Sequence, residues 1–262
     1  MDFYVLIPAR LESTRLKNKM LQDLHGLPLV IRTARQAQLS QARQVFIATD
    51  NNEIAAAATT HGIRPIMTGP HDTGTDRLAA AAQQLQLPQE AIIVNVQGDE
   101  PLIDPQLINA VAKQLAINPQ AEMATAAAAL NSFEQLFNPN VVKVVCNQQQ
   151  QALYFSRAPI PWVRDQYPIP TQLTQLSPHP TVTAALHHIG IYAYRNHFLQ
   201  RFPTLPSGTL EHLESLEQLR ALEHGATILV HRWSAPPAPG VDTAEDLALV
   251  RQILAQQGTC PP

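Results

Sequence analysis

Charge is what this sequence has least of. Only 15% of its 262 residues are Asp, Glu, Lys or Arg, against an average of about 25%. The 18 basic and 21 acidic residues leave a net charge of -3, so no broad basic field exists and non-specific nucleic-acid binding is excluded. Cysteine is almost missing as well. Cys146 and Cys260 stand far apart, make neither a disulfide framework nor a zinc ribbon, and fit a reducing compartment. Long apolar runs are lacking: Phe3 to Ile7 falls far short of the ~18 residues that cross a bilayer. The cations Arg10, Arg15, Lys17 and Lys19 follow that run, whereas a signal peptide carries its charges in front. The expectation is a cytoplasmic protein with no membrane insertion. Disorder is excluded by a 45% apolar content.

Catalytic signatures are missing too. No GxGxxG follows an apolar run, and GxxxxGK[ST], HExxH and GxSxG do not occur, which leaves hydride transfer, P-loop chemistry, zinc proteolysis and serine hydrolysis without support.

What is present alternates between two periods. Phe3–Ile7, Val45–Ala48 and Ile92–Val96 read as short strands. Leu29–Leu39, Asn52–His61 (closed by Gly62) and Thr75–Leu87 read as the helices between them. That is α/β patterning around a largely parallel sheet, in which ligands gather at the carboxyl ends of strands. Val141–Val145 and Ala152–Phe155 read as a hairpin, followed by an extended excursion containing six prolines from Pro159 to Pro180. A β-run at Ile189–Tyr194, a helix at Leu210–His224 stopped by Gly225, a strand at Ile228–Val230 and a helix opening at Thr243 complete the chain. Thr243 and Asp246 form an approximate capping box.

Four cations and two hydroxyls lie in the loop from Arg10 to Lys19. Such a loop alone reads as solvated surface. At the end of the leading strand it faces the ligand crevice and suits a polyphosphate. Asp99 follows a strand and a glycine, a position from which a carboxylate holds Mg²⁺, although Gly-Asp-x-Pro is also plain turn chemistry. Asp242 precedes the last helix and reads equally as helix initiation. Together the loop and the two carboxylates describe a metal-nucleotide site. His188, Tyr192 and Tyr194 share a strand face, where a lone histidine is more often a structural residue. Glu211, Glu214 and Glu217 recur along one helix and suit a solvated acidic stripe, and Arg157 reads as surface.

The blocks IPARLESTRLKNK, ATD (Ala48–Asp50), TGTDR (Thr73–Arg77), VNVQGDEPLI, FNPNVVKVV, YFSRAPIPW (Tyr154–Trp162), HIGIYAY, LESLEQLR and GVDTAEDL occur in this order. Over nearly the whole chain they resemble the 3-deoxy-D-manno-octulosonate (Kdo) cytidylyltransferase family. The resemblance implies one nucleotidyltransferase-type, Rossmann-like domain over 1–262, with a mainly parallel mixed sheet and a β-rich dimerisation excursion over about 132–187. It implies CMP transfer from CTP to Kdo with Mg²⁺, release of pyrophosphate, a homodimer, and a place in lipopolysaccharide biosynthesis. It assigns the nucleotide to Pro8, Ala9, Arg10, Arg15, Lys19, Thr75 and Arg77, with Arg10, Arg15 and Lys19 catalytic. Asp99 and Asp242 take the metal, and Gln97, Arg157, His188, Tyr192 and Glu217 take the sugar. Other acidic sugars (8-amino-Kdo, a sialic acid), a metal-dependent glycosyltransferase and a non-catalytic nucleotide-binding module are the competing readings.

Two loops depart from the family pattern. RLPGKPL becomes Arg15-Leu16-Lys17-Asn18-Lys19-Met20-Leu21, and DHxSGT becomes Pro70-His71-Asp72-Thr73-Gly74-Thr75. Asparagine tolerates positive φ better than other non-glycine residues, so the first loop is expected to keep its shape while gaining mobility before CTP binds.

Overall fold

The computed structural model describes residues 2–164 and 185–256. They divide into two compact units. The first is built from the described parts of Met1–Ala116, Ile191–Pro203 and Ala238–Pro262; the second comprises those of Ile117–Gly190 and Thr204–Pro237.

The first unit opens with β1 (Phe3–Ala9), α1 (Leu29–Gln38), β2 (Gln44–Thr49), α2 (Asn52–Thr60), β3 (Arg64–Met67), α3 (Gly74–Gln84), β4 (Ile92–Asn95) and α4 (Pro105–Ala116). The pairs β1–β2, β1–β4 and β2–β3 are parallel. The second half of β8 (Leu186–Arg195) pairs with β4 antiparallel. The sheet is thus mainly parallel. Val5, Leu6 and Ile7 are all fully buried, because a central parallel strand is covered on both faces. Small side chains let α3 lie close to the sheet: Ala79, Ala81 and Ala82 are buried there. Helix starts follow the capping rules. Asn51 accepts from Glu53 N and Ile54 N at the head of α2, and Thr73 accepts from Asp76 N at the head of α3. α9 (Ala244–Gln256) begins on a reciprocal box, with Thr243 N donating to Asp246 Oδ2 at 2.9 Å and Asp246 N to Thr243 Oγ1 at 3.2 Å. The expected box is present, and aspartate suffices in place of glutamate.

The second unit contains β5 (Met123–Ala129), α5 (Phe133–Phe137), β6 (Lys143–Cys146), β7 (Ala152–Ser156), the first half of β8, α7 (Thr209–Glu214), α8 (Gln218–Glu223) and β9 (Ile228–Trp233); α6 (Asn196–Arg201) belongs to the first unit. The expected hairpin is β6–β7, antiparallel. β5 pairs with β9 in parallel. Of the proline-rich stretch, Ala158 to Arg164 carries no helix or strand, while Pro168, Pro170, Pro178 and Pro180 lie outside the described residues.

The helix expected over Leu210–His224 is two helices. The chain turns left-handed at Ser215 (φ 51°, ψ 50°) between α7 and α8, and Gly225 (φ 76°) ends the pair as expected. The acidic stripe is therefore not a solvated face. Glu211 forms a two-pronged bond to the Arg220 guanidinium, with Nε at 2.8 Å, and Glu214 accepts from Ser156 Oγ at 2.6 Å and Arg157 N at 2.9 Å. Satisfying those donors turns Glu214 inward and breaks the helical period.

A β-branched residue is strained in left-handed backbone, at a cost of about 1–2 kcal/mol. Ser215→Val should lose about that much in urea unfolding, while Ser215→Gly loses none. Equal losses in both variants would show that the break does not require this conformation.

Candidate active site

The site grows from the loop that leaves β1. Asn18 adopts φ 50°, ψ 39° and launches a 3-10 turn over Lys19–Leu21. Leu21 N closes the turn onto Asn18 O at 2.9 Å, and Gln22 Nε2 donates to Lys17 O at 2.8 Å. The expectation for this substituted position is met: asparagine takes the left-handed conformation. The turn carries Lys19 inward, to 8% exposure.

Lys19 Nζ donates to Asp99 Oδ2 at 2.6 Å and to Asp242 Oδ1 at 2.9 Å. Arg15 Nη2 lies 3.3 Å from Asp242 Oδ2. Burial pulls the Lys19 pKa down, but Asp99 and then Asp242 outweigh it and hold it above its ordinary value. Burial, with Asp99 beside it, pushes the Glu100 carboxyl up to about 8.

Backbone contacts bring the carboxylates together. Val241 N donates to Asp99 O at 2.9 Å, and Asp242 N donates to Asp246 Oδ2 at 3.1 Å. Gly98 is a close approach: a Cβ there would stand 3.1 Å from Pro8 O and 2.9 Å from Met20 Sδ. Thr33 Oγ1 donates to Gly98 O at 2.9 Å from α1. No sequence motif flagged Thr33, because its role depends on where α1 packs.

These groups wall a cleft of about 310 Å³ in the first unit. Of the nucleotide set, Pro8, Ala9, Arg10, Arg15, Lys19 and Arg77 line it, together with Gln97, Asp99 and Asp242. Thr75 is buried and does not line it. Arg10 is exposed, with no hydrogen-bond or ion-pair partner among the described residues. Arg77 is buried and already committed in part, donating to Asp50 Oδ2 at 2.8 Å and Thr68 Oγ1 at 2.9 Å. His71 and Asp72 also line the cleft, which the sequence reading did not anticipate; both fall in the departing second loop. Among the described residues no cluster of three or more His, Cys, Asp or Glu side chains could hold a metal. Asp99 and Asp242 are the donor type that Mg²⁺ takes, one or two carboxylates completed by water and phosphate oxygens.

Comparison with known proteins shows the family and the fold. A family profile described as cytidylyltransferase matches residues 4–228. The 3-deoxy-manno-octulosonate cytidylyltransferase of Leptothrix cholodnii is 54% identical over 96% of this chain and 91% of its own. That of Neisseria meningitidis serogroup C is 51% identical over 96% and 98%. This chain belongs to the 3-deoxy-manno-octulosonate cytidylyltransferase family. A solved structure of CMP:2-keto-3-deoxy-manno-octonic acid synthetase complexed with CTP superposes with a TM-score of 0.85 at 36% identity, covering 98% of this chain and 99% of that one. A cytidylyltransferase from Leptospira borgpetersenii, 13% identical with a TM-score of 0.56 over 98% of this chain and 94% of that one, shares the fold.

Of the residues expected to bind the sugar, Gln97 and Tyr192 belong to the first unit, and Arg157, His188 and Glu217 belong to the second. In the first, Gln97 is on the cleft wall, and Tyr192 is buried on β8 with its ring 5.9 Å from that of Tyr194. In the second, Arg157 is held on every side. Its Nε donates to Glu214 O at 2.7 Å and its Nη1 to Pro139 O at 2.9 Å. Lys143, fully buried, donates to the carbonyls of Asn138, Val141 and Arg157. Burial lowers its pKa to about 8. Glu217 is half-buried.

His188 is buried, its Nε2 is 3.0 Å from Thr125 Oγ1, and its ring stands edge-on to Phe155 at 5.0 Å. Burial, and then His187, pushes its pKa down to about 3, so it is neutral at physiological pH. Between about pH 3 and 6.5 the unfolded chain binds this proton and the folded chain does not. The resulting stability is complete above pH 6.5 and falls as pH drops toward 3. In His188→Gln the urea midpoint should fall less steeply across that window than in the parent. An unchanged slope would mean that His188 titrates normally.

Proposed function

We propose that this chain transfers CMP from CTP to the anomeric hydroxyl of Kdo, giving CMP-Kdo and pyrophosphate for lipopolysaccharide biosynthesis. One observation carries the reading: Arg10, Arg15 and Lys19 converge on a single cleft with Asp99 and Asp242. A triphosphate needs that density of positive charge, and a nucleotidyl transfer needs it most where pyrophosphate leaves.

In this reading the backbone of Pro8 and Ala9 meets the nucleotide, with Thr75 and Arg77 shaping its surroundings. Arg10, which has no partner to give up among the described residues, takes a phosphate directly. Arg15 and Lys19 neutralise charge on the departing β- and γ-phosphates. The Kdo hydroxyl oxygen attacks the α-phosphorus in line, the bond from that phosphorus to the β-bridging oxygen breaks, and the hydroxyl proton passes to solvent. No covalent enzyme intermediate forms. Asp99 and Asp242 would hold Mg²⁺, which supplies charge neutralisation at the phosphate oxygens. Gln97, Tyr192, Arg157, His188 and Glu217 are the proposed sugar ligands, with His188 acting as a neutral hydrogen-bonding group.

A homodimer and a cytoplasmic setting belong to the same proposal. Leu153 (61% exposed), Trp162 (62%) and Leu213 (78%) leave apolar surface on the second unit, which supports a partner copy there. No helix among the described residues is long and apolar enough to cross a membrane.

Incubation with CTP, Mg²⁺ and Kdo should release pyrophosphate and form CMP-Kdo, with 8-amino-Kdo and a sialic acid as competing acceptors. A faster reaction with either would reassign the sugar. Asp99→Ala should lower kcat by about 10²–10³ or more while far-ultraviolet dichroism stays native. Near-normal turnover in that variant would remove Asp99 from the metal site.

A further inference from the structure

Lys19 occupies the place where a divalent cation is needed. Its ammonium spans the carboxylate pair at 2.6 and 2.9 Å, using oxygen lone pairs that a metal ion would require. The pair cannot relax away from it easily. The Val241 N to Asp99 O hydrogen bond fixes the spacing of the two segments, and the Asp246 carboxylate holds the backbone of Asp242. Charge closes the argument. Asp99 and Asp242 carry two negative charges, and Lys19 with Arg15 returns two positive ones. A doubly charged ion entering this neutral cluster meets an ammonium already in contact with both of its prospective ligands.

We infer that Lys19 is a built-in substitute for the divalent cation, closing the carboxylate pair until a triphosphate draws the ammonium away. The inference rests on the reading of Asp99 and Asp242 as the cation ligands. The exchange needs no backbone movement. A lysine stem is long and flexible and its ammonium is a point charge, so rotation about the side chain carries Nζ from carboxylate to phosphate oxygen. Arg10 makes first contact with the polyphosphate without breaking any bond to the described residues. Nucleotide and metal then favour each other's binding, since each stabilises the state in which Lys19 has left the carboxylates. The order follows: the chain without nucleotide rejects the metal, and the chain with nucleotide accepts it.

The test reads metal binding in the intact chain, with activity left aside. Mn²⁺ affinity is measured without nucleotide, by the electron paramagnetic resonance of the unbound ion and by the Mn²⁺-induced rise in Tm, for the parent, Lys19→Met and Lys19→Gln. Glutamine keeps one hydrogen bond to the carboxylates and so covers a failure of the methionine variant to fold. A unit charge a few ångströms away is worth several kcal/mol in partly buried surroundings, so affinity should rise about tenfold or more in both variants. The Tm of the variants should then respond to Mn²⁺ while that of the parent does not. Parent samples with CTP form the reference arm. If Mn²⁺ binds the parent–CTP complex but binds the nucleotide-free variants no better than the parent, the substitution idea is overturned and the metal site stands. If Mn²⁺ binds none of these samples, both fall.

Discussion

A single backbone hydrogen bond, Val241 N to Asp99 O, sets the conditions for everything else in the cleft. It joins the end of a central strand to the segment before the last helix. The two carboxylates are thereby neighbours without any side-chain contact between them. Like charges held this close need an opposing charge, and the 3-10 turn after Asn18 delivers one in Lys19. Beside it Gly98 fits closely, since a Cβ there would stand 3.1 Å from Pro8 O and 2.9 Å from Met20 Sδ.

Scarcity of charge acquires a different meaning once the structure is known. Lys19, Arg32, Arg77, Lys143, Arg195 and Arg220 are all buried. Each is surrounded by acceptors rather than water, because a buried charge without a partner is heavily penalised. Arg77 binds Asp50, Arg220 binds Glu211, and Lys143 caps three carbonyls. In a chain with so few charged residues, a notable share of the cations shapes loops from within. Arg157 follows the same pattern. Its guanidinium is drawn onto the carbonyls of Glu214 and Pro139, so its donors are engaged by the protein's own backbone.

Most strands and helices of the first unit could be read from hydrophobic period and caps, to within three residues. Sequence periodicity left β3, α4, β5, α5 and α6 unassigned. The reason is plainest in β5, where Met-Ala-Thr-Ala-Ala-Ala-Ala has the composition of a helix and becomes a strand by pairing with β9. The break at Ser215 was equally hidden. It follows from hydrogen bonds between Glu214 and a distant hairpin, and the leucine spacing on either side stays helical. His71 and Asp72 went unnoticed at the cleft for a related reason: nothing local marks a loop as facing a ligand.

By itself, the sequence determined the kinds of group available and their place along the chain: a cationic loop after the leading strand, one carboxylate after Gly98 and another before the final helix, an asparagine where positive φ was needed. Those are local properties, set by strand ends, caps and backbone sterics. Only the tertiary structure decided how the groups meet. The insertion of Lys19 between two remote carboxylates, the buried neutral state of His188 and the engagement of Arg157 all arise from contacts between segments distant in sequence. Their energies depend on burial and on distances of about 3 Å, which no local pattern encodes.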